Sequence, residues 1–123
     1  MKKMHFISLS SDAIKALKKI ANRKTYTTDT PLHYQGQHPI VAYLVLKGNI
    51  LLLKKNKIYH KLSKGALAGY QELFSNTPSL YTAQVTSDSE ICYIDKSTLL
   101  EIKNSKSPEL NRLYTELTNT CLC

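Results

Sequence analysis

No run of apolar residues in this chain approaches the roughly 18 that a membrane-spanning helix needs, so no span is expected. Cysteine occurs three times, as Cys92, Cys121 and Cys123. These are too few and too poorly spaced for a CxxC-type metal site, and they do not make the even-numbered framework of a disulfide-stapled secreted domain. Cys92, inside Glu90-Ile91-Cys92-Tyr93-Ile94, reads as a buried thiol acting as a small hydrophobe, and the terminal pair as free thiols rather than a prenylation tail. The basic start Met1–Leu9 is followed by an apolar stretch too short and too broken for a secretory signal, so the expected compartment is the cytoplasm. Glycine is scarce as well, and a chain with only four should place Gly36, Gly48, Gly65 and Gly69 at turns.

What is present suits one soluble globular domain: 123 residues, 42% hydrophobic and 21% charged. The glycines punctuate Leu32–Tyr34, Val41–Leu46, Ile50–Leu53 and Ile58–Leu62 into short strands, and Lys24–Thr28, Tyr81–Thr86 and Glu90–Ile94 read the same way. In Val41–Leu46, Tyr43 and Val45 oppose Ala42, Leu44 and Leu46. Both faces are apolar, so this strand is expected at the centre of a sandwich. Lys54-Lys55-Asn56-Lys57 reads as a hairpin loop with Asn56 at the turn.

Helices flank the strands. Ser10-Ser11-Asp12 caps an amphipathic helix over about residues 11–22, with Ile14, Leu17 and Ile20 on one face and Lys15, Lys18 and Lys19 on the other. The β core spans about 24–95, interrupted by a helical turn at Tyr70–Phe74. C-terminal helices occupy about 96–120: Asp95 caps the first, and Ser107-Pro108-Glu109 opens the second, which carries the stripe Leu110, Leu113, Tyr114 and Leu117.

The net charge of +8 is unevenly spread. Five lysines, Lys54, Lys55, Lys57, Lys61 and Lys64, fall in one short stretch, and Lys15, Lys18 and Lys19 in another. Such patches can bind nucleic acid or acidic protein. Lysines can also guard an edge ribbon against self-pairing, which is the favoured reading for Lys54, Lys55, Lys57, Lys61 and Lys64, since no arginine cluster or aromatic stripe accompanies them.

The ordered set Pro31-Leu32-His33-Tyr34-Gln35-Gly36, Ala42-Tyr43-Leu44-Val45-Leu46-Lys47-Gly48 and Gly65-Ala66-Leu67-Ala68-Gly69 resembles the cyclic-nucleotide-binding domain of catabolite-activator and regulatory-kinase type. The resemblance implies a mainly β fold, an eight-stranded jelly roll with an N-terminal helix and C-terminal helices. It also implies a phosphate-binding cassette after Gly69, here Gly69, Tyr70, Gln71, Glu72, Tyr81, Thr82 and Ala83. Where the family carries a ribose-binding glutamate and a phosphate-binding arginine, this chain has Tyr70 and Tyr81. A phenol supplies no charge, and losing charge-assisted bonds each worth about 1.5–3 kcal/mol would weaken binding by orders of magnitude. The pocket therefore reads as degenerate, with Tyr70 and Tyr81 stacked to fill it, and cyclic AMP or GMP binding is not expected. Glu72 is out of phase to replace the glutamate.

The histidines His5, His33, His38 and His60 show no HxH or HxxxH spacing. No metal, no other cofactor and no catalytic constellation is expected, and His33 and His60 read as strand-surface residues. In the family the last helix commonly forms a dimer seam before an effector domain, and the chain's end soon after Leu117 reads as absence of that effector. The expected function is a stand-alone regulatory module contacting a protein partner, with the C-terminal helix packed either on its own core or in a homodimer. A sensor of another nucleotide or small ligand, and a nucleic-acid-binding accessory, remain as alternatives.

Overall fold

The structure, a computed structural model, describes residues 6–119, without the side chains of Phe6, Ile7, Gln71, Phe74, Thr118 and Asn119. Cys121 and Cys123 lie outside the described residues. Nine strands form two antiparallel sheets. The first sheet contains β1 (Phe6–Ser8), β7 (Ala66–Ala68), β4 (Val41–Lys47), β9 (Ser89–Asp95) and β2 (Asn22–Tyr26), in that spatial order. The second contains β3 (Thr30–His33), β8 (Thr82–Val85), β5 (Ile50–Lys54) and β6 (Lys57–Leu62). The eight strands β2–β9 make the expected jelly-roll sandwich, and β1 adds a short ninth at one edge.

Among the described residues there are four helices: α1 (Ser11–Ile20), α2 (Tyr70–Ser75), α3 (Lys96–Asn104) and α4 (Pro108–Asn119). α1 stops at Ile20, short of the expected 22, because Ala21 is extended and Asn22 already pairs with Tyr93. The capping residues act as their chemistry predicts. Ser10 accepts from the Ala13 amide at 3.2 Å and Asp95 from the Thr98 amide at 2.7 Å, each satisfying a donor that the helix leaves unpaired.

β4 is the central strand, paired to β7 on one side and β9 on the other. Its alternate residues feed two cores, as the period of two dictates. Ala42, Leu44 and Leu46 pack with Leu17, Ile94, Ile102, Leu113 and Leu117 under the helices. Tyr43 and Val45 pack with Ile50, Leu52, Val85 and Ile91 between the sheets. Cys92 lies at 0% exposure among the helix-side residues, and burial pushes its thiol up to about 11, against the nearby Arg23 and Lys18 charges.

The turn chemistry is local and legible. Lys55 (φ 51°) and Asn56 (φ 64°) form the two-residue turn of the β5–β6 hairpin, both residues in the positive-φ region that a type I′ turn demands. At the β4–β5 turn, Gly48 (φ 82°) lies against Ser89, where a Cβ would come within 2.6 Å of the Ser89 Cβ and 2.8 Å of its Cα. Ser89, fully buried, accepts from the Asn49 amide at 3.1 Å and meets the Thr86 hydroxyl at 3.1 Å, tying this turn to the β8–β9 turn.

Gly48→Ala combines that overlap with a conformation costly for an L side chain and should lower unfolding free energy by about 3 kcal/mol. Gly36→Ala, where a Cβ would meet nothing within 4 Å, should cost only about 1 kcal/mol. Urea unfolding of the two variants checks this, and equal losses would show that Ser89 yields.

Candidate functional site

The stretch Gly69–Ala83 joins the first sheet to the second, and its geometry is set by three local features. Gly69 (φ 85°) turns the chain out of β7, and its carbonyl accepts from the Leu73 amide at 3.0 Å, opening α2. Asn76 (φ 52°) ends α2 in the left-handed conformation, and the Glu72 carbonyl accepts from the Thr77 amide at 3.1 Å. The following loop is stitched to the β3–β4 turn: the Gly36 amide donates to the Ser79 carbonyl, and the Ser79 amide to the Gln37 carbonyl, both at 2.8 Å.

Inside that loop lies a buried polar cluster. The His33 imidazole, 9% exposed, reaches the Ser79 hydroxyl with Nε2 at 2.8 Å and the Tyr43 hydroxyl with Nδ1 at 3.2 Å. Ser79 Oγ donates to the Tyr81 carbonyl at 2.7 Å and accepts from the Tyr81 amide at 3.2 Å. A serine has one proton, so with that proton on the Tyr81 carbonyl, His33 Nε2–H donates to Ser79 and Nδ1 accepts from the Tyr43 hydroxyl. His33 and Tyr43 also stack, with centroids 5.5 Å apart and planes 17° apart. Burial holds the imidazole below its ordinary range, partly opposed by a backbone hydrogen bond with Tyr81, and pushes the Tyr43 phenol up to about 12, with Tyr26 adding to the rise. The Tyr43 hydroxyl also reaches the Leu32 carbonyl, at 3.5 Å.

His33 is thus not the strand-surface residue that alternation suggests. Its partner in register, Ala83, is fully buried, and the pairing of β3 with β8 turns both inward. Neither His33 nor Ser79 is identifiable as a site residue from the sequence alone. The one available signal was the adjacency of His33 to a turn that the cassette must cross.

Tyr70 and Tyr81, expected to fill one pocket together, part company. Tyr70, at 0% exposure, packs with Leu44, Leu67 and Leu73 in the helix-side core. Tyr81 packs against the core between the sheets, its ring centroid 6.1 Å from Tyr59 and 5.7 Å from His60. The expected Tyr70–Tyr81 stack is therefore corrected: the two residues belong to different cores on opposite faces of the first sheet. Glu72 is buried in α2, 9% exposed. Thr82 accepts from the Gln35 amide at 2.9 Å, and the side chain of Gln71 lies outside the described residues. The only arginines, Arg23 on β2 and Arg112 on α4, lie outside the cassette.

The other candidate surfaces are separate. Leu113 and Leu117 of α4 are buried on the chain's own core, with Leu110 and Tyr114 half-buried beside them, so this stripe faces inward. Glu116 on α4 accepts from the Ser10 amide at 2.6 Å and the Ser10 hydroxyl at 2.8 Å, and Lys19 lies 3.2 Å from Glu109. Of the basic residues, Lys15, Lys18 and Lys19 stand on α1, on the helix side of the first sheet. Lys54, Lys55, Lys57, Lys61 and Lys64 stand on or beside the edge hairpin of the second sheet. The two groups sit on different layers and form no single surface.

A family model described as the cyclic nucleotide-binding domain matches residues 23–106. No curated protein sequence matches the chain. Among solved structures, it is similar to the Thermus thermophilus Catabolite Activator Protein (20% identity, TM-score 0.70, covering 90% of this chain and 54% of that one). It is similar also to a cyclic nucleotide-binding-like protein from Brucella abortus (22%, 0.67, 80% and 88%). A third likeness is to the regulatory subunit of a cAMP-independent protein kinase A from Trypanosoma brucei (15%, 0.66, 91% and 39%). At these identities the likeness is one of fold, and the chain spans about half the length of the Thermus protein.

His33, depressed by burial, binds no proton in the fold over a range where the unfolded imidazole, near pH 6.5, already does. Its contribution to stability is complete above that pH and is lost as pH falls toward the folded value. Wild type should therefore lose more stability between pH 7.5 and 5 than His33→Gln, measured by urea unfolding; parallel losses would remove His33 as the cause. Tyr70→Glu would place a carboxylate in an apolar core and should cost about 3–5 kcal/mol by the same measurement.

Proposed function

Since the chain belongs to the cyclic nucleotide-binding domain family, we propose that it is a regulatory module that has given up cyclic AMP and cyclic GMP and acts through contacts with a protein partner rather than as a catalyst. The observation that carries this reading is Tyr81. It stands where the family's phosphate-binding arginine would be, with its ring against Tyr59 and His60 and its backbone engaged by Ser79. A cyclic phosphate leaving water needs a charged partner, and a guanidinium supplies two charge-assisted bonds in one plane. Without them the loss is about 3–6 kcal/mol, or roughly two to four decades in Kd.

Supporting this, the space between the sheets beside the cassette holds His33, Tyr43 and Ser79, all hydrogen-bonded to one another or to Tyr81. Tyr70, at the glutamate position, is turned into the other core and offers nothing to a ribose hydroxyl there. The similar Trypanosoma brucei protein is the regulatory subunit of a kinase described as cAMP-independent, which is in keeping with this reading.

Calorimetric titration of the purified protein with cyclic AMP and cyclic GMP is expected to give no heat of binding at micromolar nucleotide. Binding at micromolar concentration would overturn the proposal. A small molecule released from the native protein on denaturation, identified by mass spectrometry, would instead make the chain a sensor of a different ligand.

A further inference from the structure

The outer face of the four-stranded sheet is unusual for a sheet that has one side in solvent. In β5, Ile50 and Leu52 point into the core, so Leu51 and Leu53 point out. The register sets Leu51 beside Gln84 and Lys61, and Leu53 beside Thr82 and Ile58. Leu51 and Leu53 are half-buried, and Ile58 is 61% exposed. An antiparallel sheet with one wet side normally alternates to polar residues there. Here the outward row is aliphatic. The main contacts of the helices are with β4, with β9 and with one another.

Charge frames the same face with one sign. The sequence holds no acid between Asp29 and Glu72, and β8 reads Thr-Ala-Gln-Val, so the four strands carry no carboxylate at all. They carry Lys54, Lys57 and Lys61, with Lys55 in the turn and Lys64 just beyond β6. β6 is also the last strand of its sheet, and no further strand pairs with its outer edge among the described residues. Lysines on such an edge repel a second copy of the same strand. They attract an edge of opposite charge.

We propose that the outer face and outer edge of the β5–β6 hairpin dock an extended acidic segment of a partner protein, whose alternate apolar residues cover Leu51, Leu53 and Ile58. The mode is strand addition: main-chain hydrogen bonds to β6 supply affinity, and side chains on one face of the added strand supply specificity. A second copy would set lysine against lysine. Nucleic acid would find no arginine on these four strands, and the exposed aromatic of β6, Tyr59, has its ring toward Tyr81. The inference rests on the reading of the chain as a protein-contact module and supplies that partner's chemistry.

The test uses the whole isotopically labelled protein, titrated by NMR with a short soluble peptide of alternating glutamate and valine. Shifts should map to β5 and β6, affinity should fall with added salt, and the exposed-site variant Ile58→Asp should bind about tenfold or more weakly. The double variant Lys57→Glu, Lys61→Glu should prefer the matching peptide of lysine and valine. Absence of binding, or equal binding by Ile58→Asp, would overturn the proposal. Tighter binding of a single-stranded oligonucleotide, or self-association abolished by Ile58→Asp, would overturn it in favour of nucleic acid or of a second copy. Cyclic nucleotide titration of the same sample separates the two claims: nucleotide binding there defeats the proposed function, and peptide binding at Ile58 still decides the docking face.

Discussion

Burial of β4 on both faces is the constraint from which the rest of the fold follows. A strand that carries Ala42, Leu44 and Leu46 on one side and Tyr43 and Val45 on the other can be satisfied only between two layers. It cannot be an edge, so β7 and β9 must flank it. One layer is helical and the other is the second sheet. A slip of one residue would exchange the faces, placing the Tyr43 hydroxyl under the helices and taking it from His33. The register that builds the core is therefore the register that builds the polar cluster.

The helical layer depends on the same strand at one remove. α1 and α4 lie together over the face of Ala42 and Leu44, and polar groups fix how they meet. Glu116 of α4 holds the Ser10 amide and hydroxyl, so the residue that caps α1 is itself held by the last helix. That arrangement uses the inward stripe of α4 intramolecularly. Leu113 and Leu117 are already covered by the chain's own core.

Features written in contiguous residues were legible in the sequence. The central strand, the Lys55-Asn56 turn, the Ser10 and Asp95 caps and the Pro108 helix start each rest on neighbours in the chain, and local chemistry decides them. β7 was not legible, because Ala-Leu-Ala has no strand signature and becomes a strand only through pairing with β1 and β4. The phase of α2 was available and was not used: Tyr70 and Leu73, three apart, share a face, and that face is the helix-side core. The burial of His33 and Ser79 was out of reach, since it depends on contacts between residues 46 positions apart.

The chemistry of that cluster bears on what the space beside Gly69–Ala83 can hold. An arginine waiting in a partly dry pocket pays for desolvation, and the bound phosphate returns it; empty, the site is under electrostatic stress. Neutral groups are cheaper to bury provided each finds a partner, and a network with one member missing is worse than an apolar core. Here His33 donates to Ser79, Ser79 donates to the Tyr81 carbonyl, and Tyr43 donates to His33. Among the described residues no buried side-chain nitrogen or oxygen lacks a partner. Tyr81 belongs to this closure, because its backbone binds Ser79 while its ring covers the edge toward Tyr59 and His60. An arginine placed at position 81 would have to bring its charge to a cluster whose imidazole and hydroxyls are already hydrogen-bonded. On the proposed function, Tyr81 and this network together favour the ligand-free state.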